Sequence, residues 1–168
     1  MEQVDVTVSY LEMLAPGQRV VAVPRSDLTV LLVSAPSVPY YRSLYNAVGS
    51  QYHWLGRRKM ADEKLATILD DPKNEIHVLH VAGQPAGFAE FDRRQPDEVE
   101  MSQFGLMPDF VGQGLGKWFL QWAIDRAWSY GPKRFWLHTC TLDHAHALPN
   151  YLKAGFAIAK QETIRREL

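Results

Sequence analysis

Three glycines at alternate positions, in Gly112-Gln113-Gly114-Leu115-Gly116-Lys117, carry the clearest chemical signal in this chain. Before them the run Val99 to Met107 reads as a strand closed by Pro108. After them Leu115, Phe119, Trp122, Ala123 and Ala127 recur at three- and four-residue steps, with Gln121, Asp125 and Arg126 between, which predicts an amphipathic helix. The glycines therefore stand where a strand hands over to a helix N-terminus. There, unpaired backbone N–H groups and the positive end of the helix dipole favour an anion. Glycine reaches positive φ and lets a phosphate approach without a Cβ in the way, and Lys117 adds a mobile cation. A phosphate or pyrophosphate cradle is one reading; a plain flexible turn is the other, and a glycine-rich loop alone does not separate them. The loop lacks the Gly-Lys-Ser/Thr ending of a Walker loop. It also carries Lys117 where a dinucleotide fingerprint wants its third glycine.

A second cluster, His138, Cys140, His144 and His146, has the residue types of a zinc site in a hydrolase or structural centre. The pattern argues against it. His138 and Cys140 alternate with apolar residues on or just past a strand, while His144 and His146 lie two apart near a helix start and point different ways. No metal is expected. A nucleophilic Cys140 has no paired His–Asp arrangement to activate it.

The elements that must position these groups are read from periodicity and turn chemistry. Val4, Val6, Val8 and Tyr10 alternate with polar residues in a half-buried strand, and Arg19 to Val23 reads as a second short extended segment. Leu28 to Val33 is a continuous branched apolar run, the pattern of a strand buried on both faces. A helix follows through Tyr41 and Tyr45, then the aromatic stretch Tyr52-His53-Trp54-Leu55-Gly56-Arg57-Arg58, then a short helix over Ala61 to Leu69. Strands containing Ile76 to Val81, Ala86 to Phe91 and Val99 to Met107 form a meander. Beyond the glycine-loop helix, Phe135 to Thr139 is a strand, Ala145 to Lys153 a short helix, and Gly155-Phe156-Ala157-Ile158 starts a final strand pair. The sum is a single mixed α/β domain over residues 1–168.

Composition bounds the function. The chain has 168 residues, 46% of them hydrophobic, and a net charge of −1, enough for one substantial core and without the basic footprint of non-specific nucleic-acid binding. One cysteine excludes an internal disulfide framework and suits a reducing compartment. With no basic-then-apolar leader at Met1 and no apolar run near a membrane-span length, a cytoplasmic protein without a membrane partner is expected.

Two stretches together resemble the GNAT superfamily of acyl-CoA-dependent N-acyltransferases. Leu106-Met107-Pro108 followed by Val111-Gly112-Gln113-Gly114-Leu115-Gly116 is similar to the family's hydrophobic-x-Pro strand ending and its Arg/Gln-x-x-Gly-x-Gly/Ala loop. Downstream, Ala147-Leu148-Pro149-Asn150-Tyr151-Leu152-Lys153-Ala154-Gly155-Phe156 is similar to the family's Ala-x-x-x-Tyr-x-x-x-Gly-Phe stretch. The order of elements also resembles the family over nearly the whole chain. This implies a GNAT fold: a mixed, mostly antiparallel sheet, splayed between the family's strands four and five and flanked by about four helices. The departure is Val111, which stands where the family carries Arg or Gln. A charged donor's hydrogen bond contributes about 1.5–3 kcal/mol, so its loss weakens rather than abolishes cofactor binding; Lys117 or Gln113 are the residues placed to compensate.

The resemblance implies an N-acetyltransferase that moves an acetyl group from acetyl-CoA to a primary amine, small-molecule or peptide, by direct attack in a ternary complex. An acyl-CoA sensor with the chemistry lost is the alternative, and the zinc hydrolase a lesser one. Deprotonating a lysine-like amine at pH 7 costs about 4–5 kcal/mol, which a carboxylate base relieves. Glu100 holds the base position of the histone-acetylating branch, with Glu98 beside it on the acceptor side. Strand alternation places Glu98, Glu100, Ser102, Phe104 and Leu106 on one face, where the apolar pair would raise a carboxylate's pKa. Tyr151 matches the family's general acid, and Asn150 lies beside it at the cofactor. Leu106 and Met107 are implied to offer free backbone groups to pantetheine and the thioester oxygen. With Val111, Gly112, Gln113, Gly114, Leu115, Gly116 and Lys117 they make up the acetyl-CoA-binding set. Tyr52 and Trp54 are placed to stack on the acceptor or cradle its cation. Nucleic acid is not expected as a partner; an exposed strand edge near the split makes a homodimer conceivable.

Overall fold

A computed structural model of the chain describes residues 2–168. Its elements run β1 (Gln3–Met13), β2 (Leu28–Val33), α1 (Val38–Gly49), α2 (Gly56–Lys59), α3 (Asp62–Asp70), β3 (Asn74–Val81), β4 (Gln84–Asp92), β5 (Glu98–Leu106), α4 (Leu115–Ser129), β6 (Arg134–Cys140), α5 (Ala147–Ala154) and β7 (Ala157–Glu167). The seven strands form one sheet in the order β2-β3-β4-β5-β6-β1-β7. All neighbours are antiparallel except β5 and β6, which run parallel and are joined through α4.

Two cores sandwich the sheet. On one face α4 buries Leu115, Phe119, Ala123 and Ala127 against Leu79, Ala89, Phe91, Met101 and Phe135. On the other, α1 and α3 bury Tyr41, Leu44, Val48, Leu65 and Leu69 against Ile76, Val78 and Phe88. Each such large side chain contributes about 1.5–3 kcal/mol when buried, so both helical layers are fastened mainly by their apolar stripes. Local chemistry sets the ends. The Ser37 hydroxyl caps α1 by accepting from the Tyr40 amide at 3.2 Å, and Gly131, at φ +70°, lets the chain leave α4 just past its end.

Several expectations are corrected. The final strand pair does not form: β7 is one continuous strand, and the neighbour it needs is supplied by β1, paired over Gln3–Glu12. Leu28 to Val33 is not buried on both faces. It is the sheet's edge strand, with Leu31 and Leu32 about half exposed, and a continuous apolar run cannot distinguish an edge from a centre. Arg19 to Val23 joins no strand. The split expected between the family's strands four and five lies here between β5 and β6, because β1 adds one to the count. Only Glu98, Val99 and Glu100 pair with β6 before the strands part.

Strand β5 also departs from simple alternation. Glu90 pairs with Gln103 and Phe91 with Met101, so Ser102 is an extra residue, a β-bulge. Beyond it the faces exchange. Phe104 and Leu106 turn to the α4 core, together with Val99 and Met101. Gly105 turns to α1, where an added Cβ would sit 2.5 Å from Val48. The expectation that Glu98 and Glu100 share a face with Phe104 and Leu106 is therefore wrong: one inserted residue reverses the parity of everything after it.

Candidate active site

The parting of β5 from β6 opens a cavity of about 1190 Å³ that runs from the glycine loop to the wall made by α1, the stretch following it, and the β1–β7 ribbon. At its loop end the backbone is arranged for an anion. Gly112 and Gly114 have φ of +84° and +78°, and an added Cβ at either would meet nothing within 4 Å. Gly114 is the N-cap of the 15-residue α4 and brings no capping side chain, so the first-turn N–H groups are left for a ligand. Gly112, Gly114, Gly116 and Lys117 all line the cavity, as does Val111. Leu115 does not; it is fully buried in the α4 core. Gln113 is also turned away, its amide donating to the Asp109 carbonyl at 3.0 Å.

The pair expected to offer backbone groups divides. The Met107 amide donates to the Ala86 carbonyl at 2.7 Å, so it is already used by β4. Backbone groups alternate sides along a strand, and those of Leu106 therefore face the gap left by β6. Leu106 lines the cavity and Met107 does not. Asn150 and Tyr151 come to the same cavity from α5. Tyr151 is half-buried with its ring edge-on to Phe104 and Phe156. Burial, and secondarily the Asp143 charge, push its hydroxyl above the ordinary tyrosine value.

At the end away from the glycine loop Tyr52 and Trp54 both line the cavity. Trp54 packs against Tyr45 and Phe88 and seats on Gly49, where a Cβ would lie 2.4 Å from its ring. Its indole N–H donates to Asp143 Oδ1 at 3.3 Å. Asp143 in turn accepts from the Thr139 hydroxyl and the Cys140 amide, so one carboxylate joins Trp54 to the end of β6. Glu98 does not reach the cavity; it lies 3.7 Å from Arg134, which also holds Glu12. Glu100 lies below the wall rather than on it. Burial first, then the neighbouring Asp92 and Glu90 charges, raise its carboxyl from 4.5 to about 7, against the pull of Arg57 and Arg94. The apolar pair invoked from alternation lies on the opposite face of the strand. Beneath the site, Glu90 is fully buried and accepts from the Tyr41 hydroxyl, Arg57 and Asn74.

Residues that sequence reasoning missed are Asp143, Tyr10 and Arg19, all on the cavity wall with His138, which the sequence offered only as a zinc ligand. Arg25, which does not line the cavity, lies 3.5 Å from the Gln113 side chain. Of the four metal-type residues, His138 sits beside Glu100, while His144 and His146 stack on each other at 5.2 Å. Among the described residues no group of three or more His, Cys, Asp or Glu has metal-binding geometry.

Residues 41–156 match the model of the acetyltransferase (GNAT) family. The chain belongs to this family. It is 27% identical over 106 residues to an uncharacterized N-acetyltransferase of Mycobacterium bovis, a match covering 63% of this chain and 67% of that protein. Among solved structures, a functionally unknown conserved protein of Staphylococcus epidermidis superposes with a TM-score of 0.67 at 18% identity. That superposition covers 98% of this chain, which spans only 63% of the other's length. An aminoglycoside acetyltransferase from an uncultured soil metagenomic sample gives 0.61 at 13% identity, over 77% of this chain and 88% of that one. These structural likenesses carry the fold, and the family carries the reaction class, acyl transfer to an amine. The GNAT match leaves out β1, β2 and all of β7, so the β1–β7 ribbon of the cavity wall lies outside it.

Proposed function

We propose that this GNAT protein transfers an acetyl group from acetyl-CoA to a primary amine, by direct attack of the amine on the thioester with both substrates bound. The observation that carries this is the continuity of one cavity from the open α4 N-terminus, past the free edge at Leu106, to the neighbourhood of Glu100. The loop glycines and Lys117 fit a pyrophosphate, and Leu106 fits pantetheine and the carbonyl oxygen. A backbone donor aimed at that oxygen contributes about 2.7–4 kcal/mol in comparable acyl-transfer sites. Glu100, its carboxyl raised to about 7 just outside the cavity wall, backs removal of the amine's proton without touching the amine itself. Tyr151 stays protonated throughout the working range and gives a hydrogen bond, and finally a proton, to the departing thiolate. Tyr52 and Trp54 hold the acceptor, a small molecule or a peptide end.

The missing cation at Val111 is supplied from elsewhere. Gln113 is occupied with Asp109 and does not replace it. Arg19 and Arg25 lie in the segment between β1 and β2, Arg19 on the cavity wall with Lys117, and Arg25 beside Gln113 while held by Asp27 at 2.7 Å. Calorimetric titration with acetyl-CoA, with NAD as control, tests the reading. Selective binding at micromolar concentration is expected, weakened about tenfold in the Arg19→Ala, Arg25→Ala double variant, as loss of one charge-assisted hydrogen bond predicts. Absence of acetyl-CoA binding would sink it, and binding without turnover of any amine would leave an acyl-CoA sensor.

A further inference from the structure

Glu100 does not touch the cavity; His138 does. The last registered pair of β5 and β6 is Glu100 with Trp136, and His138 stands two residues further along β6, on the same face, where the strands have parted. Its Nδ1 lies 3.8 Å from Glu100 Oε2, an ion-pair separation with room for adjustment. From the other side the ring packs on Tyr10 of β1, centroids 5.9 Å apart, and the Tyr10 hydroxyl donates to Glu162 of β7 at 2.8 Å. The imidazole is thus fixed between a carboxylate beneath it and an aromatic beside it, with about half of its side chain exposed.

We propose that His138 takes the proton from the attacking amine, and that Glu100 stands behind it as the positioning carboxyl group. The inference rests on the acyl-transfer reading. The amine nitrogen forms a bond to the thioester carbonyl carbon as the C–S bond breaks. The nitrogen's proton passes to the free ring nitrogen of His138, and the thiolate takes a proton from Tyr151, which is restored from solvent as His138 releases its own. The charged groups around the pair favour this assignment. Glu100 is faced by Asp92 and Glu90 from β4, by Arg94 from the β4–β5 turn, by Arg57 from α2 and by His138 from β6. His138 is faced by Glu100 from β5, Asp143 from the β6–α5 connection and Tyr10 from β1. Burial lowers the imidazole below its ordinary value, with Asp143 opposing, so the ring is neutral and able to accept at pH 7.

Two readouts test the proposal. In the first, acetyl transfer to the best of phenethylamine, spermidine and an alanine-ended tripeptide is followed against pH for the wild type, His138→Gln and Glu100→Gln. His138→Gln is expected to lower kcat/KM by about 10²-fold or more at pH 7, with unchanged calorimetric affinity for acetyl-CoA and a shrinking deficit as the amine deprotonates unaided above pH 9. Glu100→Gln is expected to lose less. In the second, the His138 ring is titrated by nitrogen-15 NMR without any substrate: above pH 8, where Glu100 is ionised and the ring neutral, the ring is expected to hold its proton on Nδ1 toward Glu100, and Glu100→Gln to weaken that preference. A His138→Gln enzyme with wild-type rate and pH profile would overturn the proposal, and so would a His138 tautomer indifferent to Glu100→Gln. If the wild type binds acetyl-CoA but acetylates none of the three amines, the acyl-transfer reading fails while the NMR titration still decides the pairing.

Discussion

At the scale of single residues, two carry testable chemistry beyond His138. Tyr151 is expected to act only on the departing thiolate, so Tyr151→Phe should cut turnover about 10²-fold with little change in acetyl-CoA affinity or melting temperature. A mutant with full activity on the same amine would remove Tyr151 from the mechanism. Glu100 makes a stability prediction of definite sign. Its folded-state value of about 7 lies above the ordinary 4.5. The native state therefore binds more protons than the unfolded one between those values, and stability falls as pH rises through that window. At 1.36 kcal/mol per unit the loss by pH 8 is about 3 kcal/mol. Denaturant unfolding at pH 4.5 and pH 8 should show Glu100→Gln gaining on the wild type by that amount at the higher pH only. Equal differences at both would show that Glu100 is not buried against like charge. The residue types were legible in the sequence: the glycines and Tyr151 line the cavity, and Glu100 lies just outside it beside His138. Glu98 was not, because a strand alternation rule cannot know that Arg134 and Glu12 stand at that end of the sheet.

Among the elements, α4 matters most, since its N-terminus makes the anion end of the cavity. Its far end is pinned by a buried carboxylate. Glu75 of β3 accepts from His77 at 2.8 Å, from Arg93 at 2.8 Å and from the hydroxyl of Tyr130, the α4 C-cap. Burial works to raise its value, but these three donors outweigh it and hold the carboxyl at about 2. Its contribution to stability is therefore complete above the ordinary 4.5 and lost as pH falls toward 2. Glu75→Ala leaves the half-exposed Arg93 and buried His77 without an acceptor. It should cost about 3 kcal/mol by urea unfolding at pH 7, a penalty that shrinks in acid. A cost below 0.5 kcal/mol would mean that the apolar stripe alone fixes α4. The helix itself was readable from its 3.6 periodicity, whereas this pin was not, since Glu75, Arg93 and Tyr130 are far apart in the chain.

For the whole molecule, the decisive feature is the insertion of β1 between β6 and β7. It closes the sheet beyond the split and brings Tyr10, Val6 and Val8 to the acceptor wall beside Glu162 and Ile164. Arg166 of β7 then reaches across to the carbonyl of His53, joining the ribbon to the stretch that carries Tyr52 and Trp54. Removing residues 2–13 should strip β6 and β7 of their partner together. The expected result is loss of the cooperative thermal transition seen by circular dichroism, recovered when a peptide of those residues is added. A truncated chain that melts cooperatively on its own would show that β1 is an accessory.

What the sequence determined by itself was local and chemical. Two motifs at the right separation placed the chain in its family, and the strand–glycine loop–helix run was legible because each part has its own period and turn chemistry. What only the tertiary structure decided was pairing across distance and parity along a strand. The alternation at Val4 to Tyr10 marks a strand but not its neighbours, so nothing local said that β1 would occupy the place expected for the second strand of a terminal pair. The bulge at Ser102 leaves no composition signal, yet it sends Phe104 and Leu106 to the opposite face from Glu100. His138 looked like a metal ligand in the linear chain. Its nearness to Glu100 comes from two parallel strands that hold register for three pairs and then separate.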